Sequence, residues 1–98
     1  MNDPKQSVTI AIQLEDETAQ GAYANLVLIN HTETEFVLDF AFVQPQQPKA
    51  KVRSRVVLSP KQASRLIAAL TENVGRYEKK FGPIGPVGTP DPSTTLVH

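Results

Sequence analysis

The chain contains no cysteine, and its ten Lys and Arg residues are balanced by ten Asp and Glu residues. Without cysteine, the sequence excludes a disulfide framework, a thiolate nucleophile and any cysteine-ligated zinc or iron–sulfur site. A formal net charge of zero also lacks the basic excess that is typical of a dedicated DNA-binding protein. A charged partner therefore has to be argued from a local cluster of residues.

Long apolar runs are missing as well. No stretch approaches the roughly 20 apolar residues that a membrane helix requires, and residues 1–7 (MNDPKQS) do not have the basic-then-apolar form of a secretion signal. We therefore expect a cytoplasmic protein that does not contact the membrane. A length of 98 residues allows one domain.

The clearest local pattern predicts one long helix in the second half of the chain. Ser59 has the properties of an N-cap, Pro60 fits the first helical position, and Gln62 completes a capping box. Gly82 and Pro83 predict where the helix ends. Between these ends the apolar residues recur every three or four positions and form a single stripe, which consists of Ala63, Leu66, Ile67, Leu70, Val74, Tyr77 and Phe81.

Alternating apolar residues predict strands upstream of this helix. Residues 8–14, 22–30, 35–43 and 50–58 each show the period of two that places apolar side chains on one face of a strand. The pairing that brings like faces together places Leu28 opposite Leu38, Phe42 opposite Val52 and Asp39 opposite Arg55; a shift of two residues would give Asp39 the partner Arg53 instead.

These elements predict an α+β fold, an antiparallel meander of three to four strands with the C-terminal helix packed on one face. We expect a flexible arm at residues 1–7, a single domain at residues 8–82, and a disordered tail rich in proline and glycine at residues 83–98. The expected floor for the helix consists of Phe36, Leu38, Phe40 and Phe42.

One helix can cover only one face of such a sheet, so we expect the other face to form an association surface. An exposed apolar patch of this breadth is typical of a subunit interface. We therefore expect a homodimer that forms through this face or by strand exchange. The candidate interface residues are Tyr23, Val27, Ile29, Val37, Val43 and Val57.

A second hypothesis rests on basic residues near the start of the fourth predicted strand. Lys49, Lys51, Arg53 and Arg55 alternate along it and could follow a nucleic-acid backbone. The alternative is a solvated or ion-paired face that balances Asp39 and the acidic residues 15–17, and the neutral overall charge favours that alternative.

A third hypothesis is a small metal or acid–base site in the turn before the third predicted strand. His31, Glu33 and Glu35 alternate there and could approach a metal together with Asp39. Surface turns are rich in such side chains, and Arg55 explains Asp39 as one member of a structural ion pair. We therefore predict no enzyme activity, no metal and no cofactor.

Three short motifs carry a resemblance to a known family. YAN precedes the first hairpin, H-x-x-x-EF-x-LDF follows it, and RVV-x-SP begins the long helix. Residues 23–40 and 48–82, which contain these motifs, resemble a small prokaryotic family that is known only as a domain of unknown function. The resemblance implies a bacterial or archaeal origin and assigns no site. The sequence as a whole therefore favours a non-enzymatic, dimeric module that works by protein association with an unknown partner.

Overall fold

The computed structural model describes residues 8–85. The predicted arm and most of the predicted tail lie outside these residues. One short helix is followed by three strands and a long helix, which confirms the α+β class. In chain order the elements are α1 (Asp16–Ala19), β1 (Leu26–His31), β2 (Phe36–Val43), β3 (Ala50–Leu58) and α2 (Pro60–Phe81).

The three strands form one antiparallel sheet in the order β1-β2-β3, so the predicted meander is confirmed. A polar turn joins β1 to β2. The Thr32 hydroxyl oxygen accepts hydrogen bonds from the backbone N–H groups of Thr34 and Glu35 at 3.3 and 3.2 Å, and the Thr32 N–H donates to the Glu35 carbonyl at 2.9 Å. Thr32 thus satisfies the backbone of a tight turn, as short polar side chains commonly do.

The register between β1 and β2 differs from the prediction by one residue. Leu28 lies opposite Asp39 rather than Leu38, and Ile29 takes the position opposite Leu38. Because side chains alternate along a strand, this single step moves every β1 side chain to the other face of the sheet. The alternation could not fix the register, because β1 is apolar on both sides.

A β-bulge alters the pairing of β2 with β3. Asp39 lies opposite Arg55 as predicted, but the register shifts between Phe40 and Ala41. Arg53 is the additional residue, since Phe40 pairs with Ser54 while Ala41 pairs with Val52. The predicted pairing of Phe42 with Val52 is therefore wrong, and Phe42 lies opposite Lys51.

The registers define two faces of the sheet. The Phe40 face carries Val27, Ile29, His31, Phe36, Leu38, Phe40, Phe42, Lys51, Ser54, Val56 and Leu58. The Asp39 face carries Leu26, Leu28, Asn30, Val37, Asp39, Ala41, Val43, Ala50, Val52, Arg55 and Val57. Both faces are rich in apolar side chains, yet Leu38 and Ala41 are the only apolar residues that are buried among residues 8–85.

Helix α2 begins and ends where the sequence predicts. The Ser59 hydroxyl accepts a hydrogen bond from the Gln62 N–H at 3.2 Å, and Pro60 occupies the first turn. At the other end Gly82 adopts a φ of 94°, a value that favours glycine, and its N–H donates to the Glu78 carbonyl. Local signals thus determine both ends of this helix.

The predicted packing of α2 on a face of its own sheet is wrong. No residue of the helix is buried, and Ile67 in the middle of its apolar stripe is 67% exposed. The reason lies in the connection, since β3 ends at Leu58 and α2 begins at Pro60. Ser59 alone, with extended backbone angles of −68° and 158°, leaves no loop that could turn the helix back across the sheet.

The predicted first strand is also absent from the sheet. Residues 8–14 are not assigned to a strand, and their apolar side chains are exposed, Ile12 by 86%. The one-turn helix α1 follows directly, with Asp16 and Glu17 in its first turn. Among the described residues the sheet therefore has three strands and two free edges, β1 and β3.

Candidate functional site

The most buried polar group of the sheet is the carboxylate of Asp39. Its two oxygens accept hydrogen bonds from Arg55 Nε at 2.6 Å and from an Arg55 terminal nitrogen at 2.9 Å. The Asp39 side chain is fully buried, whereas that of Arg55 is 61% exposed. The hydrogen bond to Asp39 and its negative charge raise the pKa of the Arg55 guanidinium above its ordinary value. The predicted structural ion pair is confirmed.

The residues of the metal hypothesis do not come together. His31 lies on the Phe40 face, where its ring stacks on Phe36 with centroids 5.3 Å apart, whereas Asp39 lies on the opposite face. Within residues 8–85, no group of three or more histidine or carboxylate side chains is placed to hold a metal ion.

The candidate interface residues are divided between the two faces. Val27 and Ile29 lie on the Phe40 face, opposite Phe40 and Leu38, while Val37 and Val57 pair with each other on the Asp39 face. Val43 also belongs to the Asp39 face, where it lies opposite Ala50. Tyr23 precedes β1 and contacts the ring of Phe42 edge-on, with centroids 6.1 Å apart. The prediction that these six residues form one surface is wrong, because the β1 register is shifted by one residue.

The predicted basic stripe is divided in the same way. Lys51 lies on the Phe40 face and Arg55 on the Asp39 face, with Arg53 at the bulge between them. Lys49 precedes β3 in the loop, where its N–H donates to the Gln47 carbonyl at 2.7 Å. Arg55 is held by Asp39, which removes it from a continuous ribbon of free cations.

Three of these cations nevertheless meet at one place. Lys49, Lys51 and Arg53 line an open cleft of about 720 Å³ at the β2–β3 hairpin, together with Phe42 and Gln47. We call this the basic cleft. Its positive charge fits an anionic group, such as a carboxylate or a phosphate.

Besides Val52 and Val57 on the Asp39 face, three groups of apolar side chains are exposed in the described chain. The first is the Phe40 face, where Val27, Ile29 and Val56 are exposed. The second is the α2 stripe, with Ile67, Leu70, Val74, Tyr77 and Phe81 exposed. The third is the segment of residues 8–14, with Val8, Ile10, Ile12 and Leu14 exposed. Clusters of exposed apolar side chains are typical of an interaction site.

Comparison with known proteins places the chain in a family. The model of the family described as "Protein of unknown function (DUF3467)" matches residues 1–85, which is most of the chain. The chain belongs to the DUF3467 family. No curated protein and no solved structure matches it.

One motif residue of this DUF3467 protein has a structural role that the sequence pattern did not predict. Asn25, the last residue of YAN, precedes β1 and extends the β1–β2 ladder by one residue at the start of the strand. Its backbone N–H donates to the Ala41 carbonyl at 3.0 Å, its side-chain Nδ2 donates to the Val43 carbonyl at 3.0 Å, and its Oδ1 accepts from the Val43 N–H at 2.8 Å. The amide side chain supplies one donor and one acceptor to the Val43 backbone, as a neighbouring strand would. The asparagine itself was the signal in the sequence for this role.

No helix among the described residues of the DUF3467 chain is both long enough and apolar enough to cross a membrane. The long helix α2 has a polar face opposite its stripe, where Arg76 and Glu72 form an i, i+4 ion pair. It is therefore an amphipathic helix, and its apolar side is exposed within the described chain.

Proposed function

We propose that this DUF3467 protein is a non-enzymatic, homodimeric module that works by protein association. The two copies pack the α2 stripe of one against the Phe40 face of the other. The observation that carries the proposal is that α2 has a complete apolar stripe and yet buries none of its residues within its own chain.

The energetics of the single chain support this proposal. Ordering one residue costs roughly 1–2 kcal/mol of backbone entropy, and fully burying a large apolar side chain contributes about 1.5–3 kcal/mol. Among the described residues Leu38 is the one large apolar side chain that is buried, at 5% exposure. A core of Leu38 and Ala41 is far too small to offset the entropy of the ordered chain. This shortfall supports a partner that buries further apolar surface, and in our proposal that partner is a second copy.

The dimensions of the two surfaces also match. Helix α2 has 22 residues and is about 33 Å long, at about 1.5 Å per residue. Strand β3 has nine residues and is about 30 Å long, at about 3.3 Å per residue. In a dimer with two-fold symmetry each helix covers the sheet of the other copy, so both surfaces are satisfied by a single interface.

Charge substitutions in the α2 stripe test this proposal. Ile67→Glu places a carboxylate in the proposed interface and is expected to convert the dimer to monomer in light-scattering mass measurements. Ala68→Glu is the matched control, since the neighbouring side chain is exposed and lies off the stripe. A dimer that withstands Ile67→Glu as well as Ala68→Glu would refute the proposed interface.

A second candidate function is nucleic-acid association, which the cations of the basic cleft favour. A phosphate backbone that binds Lys49, Lys51 and Arg53 would show an affinity that falls steeply with salt concentration. Titration of a fluorescent DNA duplex at several salt concentrations tests this, and absence of binding at low salt removes it. The bacterial and cytoplasmic setting expected from the sequence stays a prediction.

A further inference from the structure

Residues 8–14 have the properties of a strand that lacks a sheet. Their apolar side chains alternate with polar or small ones and are exposed. Among the described residues, no backbone hydrogen bond involves this segment. An extended segment of this kind can bind by adding a strand to the free edge of another sheet.

We infer that residues 8–14 of one copy pair with β3 of the second copy as an additional antiparallel strand, and that residues 15–17 enter the basic cleft. This inference rests on the proposed homodimer and specifies how its two copies are joined. The acidic residues Glu15, Asp16 and Glu17 of one copy thereby meet Lys49, Lys51 and Arg53 of the other.

Charge complementarity selects β3 over the other free edge. In an antiparallel pair, the end of the added strand lies beside the beginning of the strand that it joins. Three carboxylates follow the added segment directly, and β3 begins within the basic cleft. Strand β1 is shorter, with six residues against nine, and contains no lysine or arginine.

The faces of the sheet then restrict the register. Ile29, Leu38 and Val56 form a row across the Phe40 face, and Val27, Phe40 and Ser54 form the next row. Ile10 opposite Val56 and Ile12 opposite Ser54 extend both rows by one strand. A slip of one residue would instead place these isoleucines on the Asp39 face. The added strand thus widens the surface that α2 covers.

The position of the segment in the chain favours a second copy as its partner. Residues 8–14 precede β1, and β2 separates β1 from β3. To reach β3 of its own chain the segment would have to cross a face of its own sheet. Between two copies the exchange occurs twice by symmetry, which doubles the number of paired strands and of ion pairs.

Disulfide trapping tests the inference directly, because the chain has no cysteine of its own. Full-length Ile12→Cys protein with an isotopic mass label is mixed in equal amounts with unlabelled Ser54→Cys protein and oxidised. Directly paired residues of antiparallel strands lie within disulfide range. We expect a mixed disulfide dimer in at least tenfold excess over that formed between Ile12→Cys and Val27→Cys proteins. Val27 is the matched control, since it occupies the same row at the other edge.

Charge reversal tests the ionic contact in the basic cleft. Lys51→Glu is expected to raise the dissociation constant of the dimer about two- to thirtyfold, as loss of an exposed ion pair at each of the two symmetric contacts predicts. Glu15→Lys should restore it when the two variants are combined as a double-substituted chain. Lys61→Glu, an exposed residue of α2 outside the cleft, should leave it unchanged.

Each other outcome has a definite meaning. Preferential cross-linking of Ile12→Cys to Val27→Cys would overturn the assignment to β3. A chain that carries both Ile12→Cys and Ser54→Cys and cross-links only within itself would overturn the assignment to a second copy. Binding of a DNA duplex that Lys51→Glu abolishes without weakening the dimer would assign the cleft to nucleic acid and overturn it too. If the wild-type protein is a dimer but the Ile12→Cys and Ser54→Cys proteins do not cross-link, this inference alone is refuted. If the wild-type protein is a monomer, the proposed function is refuted.

Discussion

Truncation of Leu70 distinguishes a covered α2 stripe from an exposed one. In the single chain this side chain is exposed, so Leu70→Ala would change stability by no more than about 0.5 kcal/mol, as is usual for surface positions. If a second copy buries the stripe, the same truncation removes a core side chain and costs roughly 2–5 kcal/mol at each of the two equivalent sites. The two situations therefore differ by several kcal/mol.

Urea unfolding monitored by circular dichroism measures this difference, with the data fitted as a dimer that unfolds to two chains. Arg65→Ala is the matched control, because Arg65 lies on the exposed side of α2 away from the stripe, and its truncation should cost less than about 0.5 kcal/mol. If Leu70→Ala costs no more than Arg65→Ala, the stripe is not buried in solution and the reasoning is refuted.

Three further substitutions test individual parts of the fold by the same unfolding assay. Leu38→Ala should cost about 2–5 kcal/mol because Leu38 is buried in the central strand, and a cost below about 1 kcal/mol would contradict that burial. Asn25→Ala should cost about 1–3 kcal/mol through loss of two hydrogen bonds to the Val43 backbone; retained stability would show that water replaces them. Ser59→Ala should cost about 0.5–2 kcal/mol through loss of the N-cap, and Ser59→Asp should not; equal losses would argue against capping.

The sequence predicts the elements whose signals are local. The cap at Ser59, the proline after it and the glycine at position 82 determine α2 to within a residue. The bounds of β3 follow from hydrophobic alternation alone. The ion pair of Asp39 with Arg55 was predictable because a carboxylate in an apolar strand needs a cationic partner. Each of these depends on neighbouring residues or on one strongly favoured pair.

Features that depend on distant parts of the chain were not predictable in the same way. Strand β1 has apolar residues on both faces, so hydrophobic alternation does not distinguish the observed register from one shifted by a residue. The bulge at Arg53 leaves no mark in the pattern, yet it moves Val52 to the Asp39 face and divides the basic residues. The direction of α2 relative to the sheet depends on the backbone angles of Ser59, and the hydrophobic periodicity of the sequence does not predict those angles.

The candidate site reflects the same limit. A sequence pattern identifies which residues are apolar, but the register decides which of them share a surface. The six predicted interface residues are therefore divided between the two faces, while the α2 stripe, predicted to be core, is exposed within the chain. The exposed α2 stripe supports association with a second copy more strongly than the sheet face that was predicted to form the interface.

The mass of the wild-type protein in dilute solution tests the central claim most directly. Light scattering at micromolar concentration should give about 21 kDa, twice the 10.7 kDa of one chain. Circular dichroism on further dilution should show loss of folded structure where the dimer dissociates. A stable, cooperatively folded monomer of 10.7 kDa at all concentrations would contradict the claim that a second copy covers the α2 stripe and the Phe40 face.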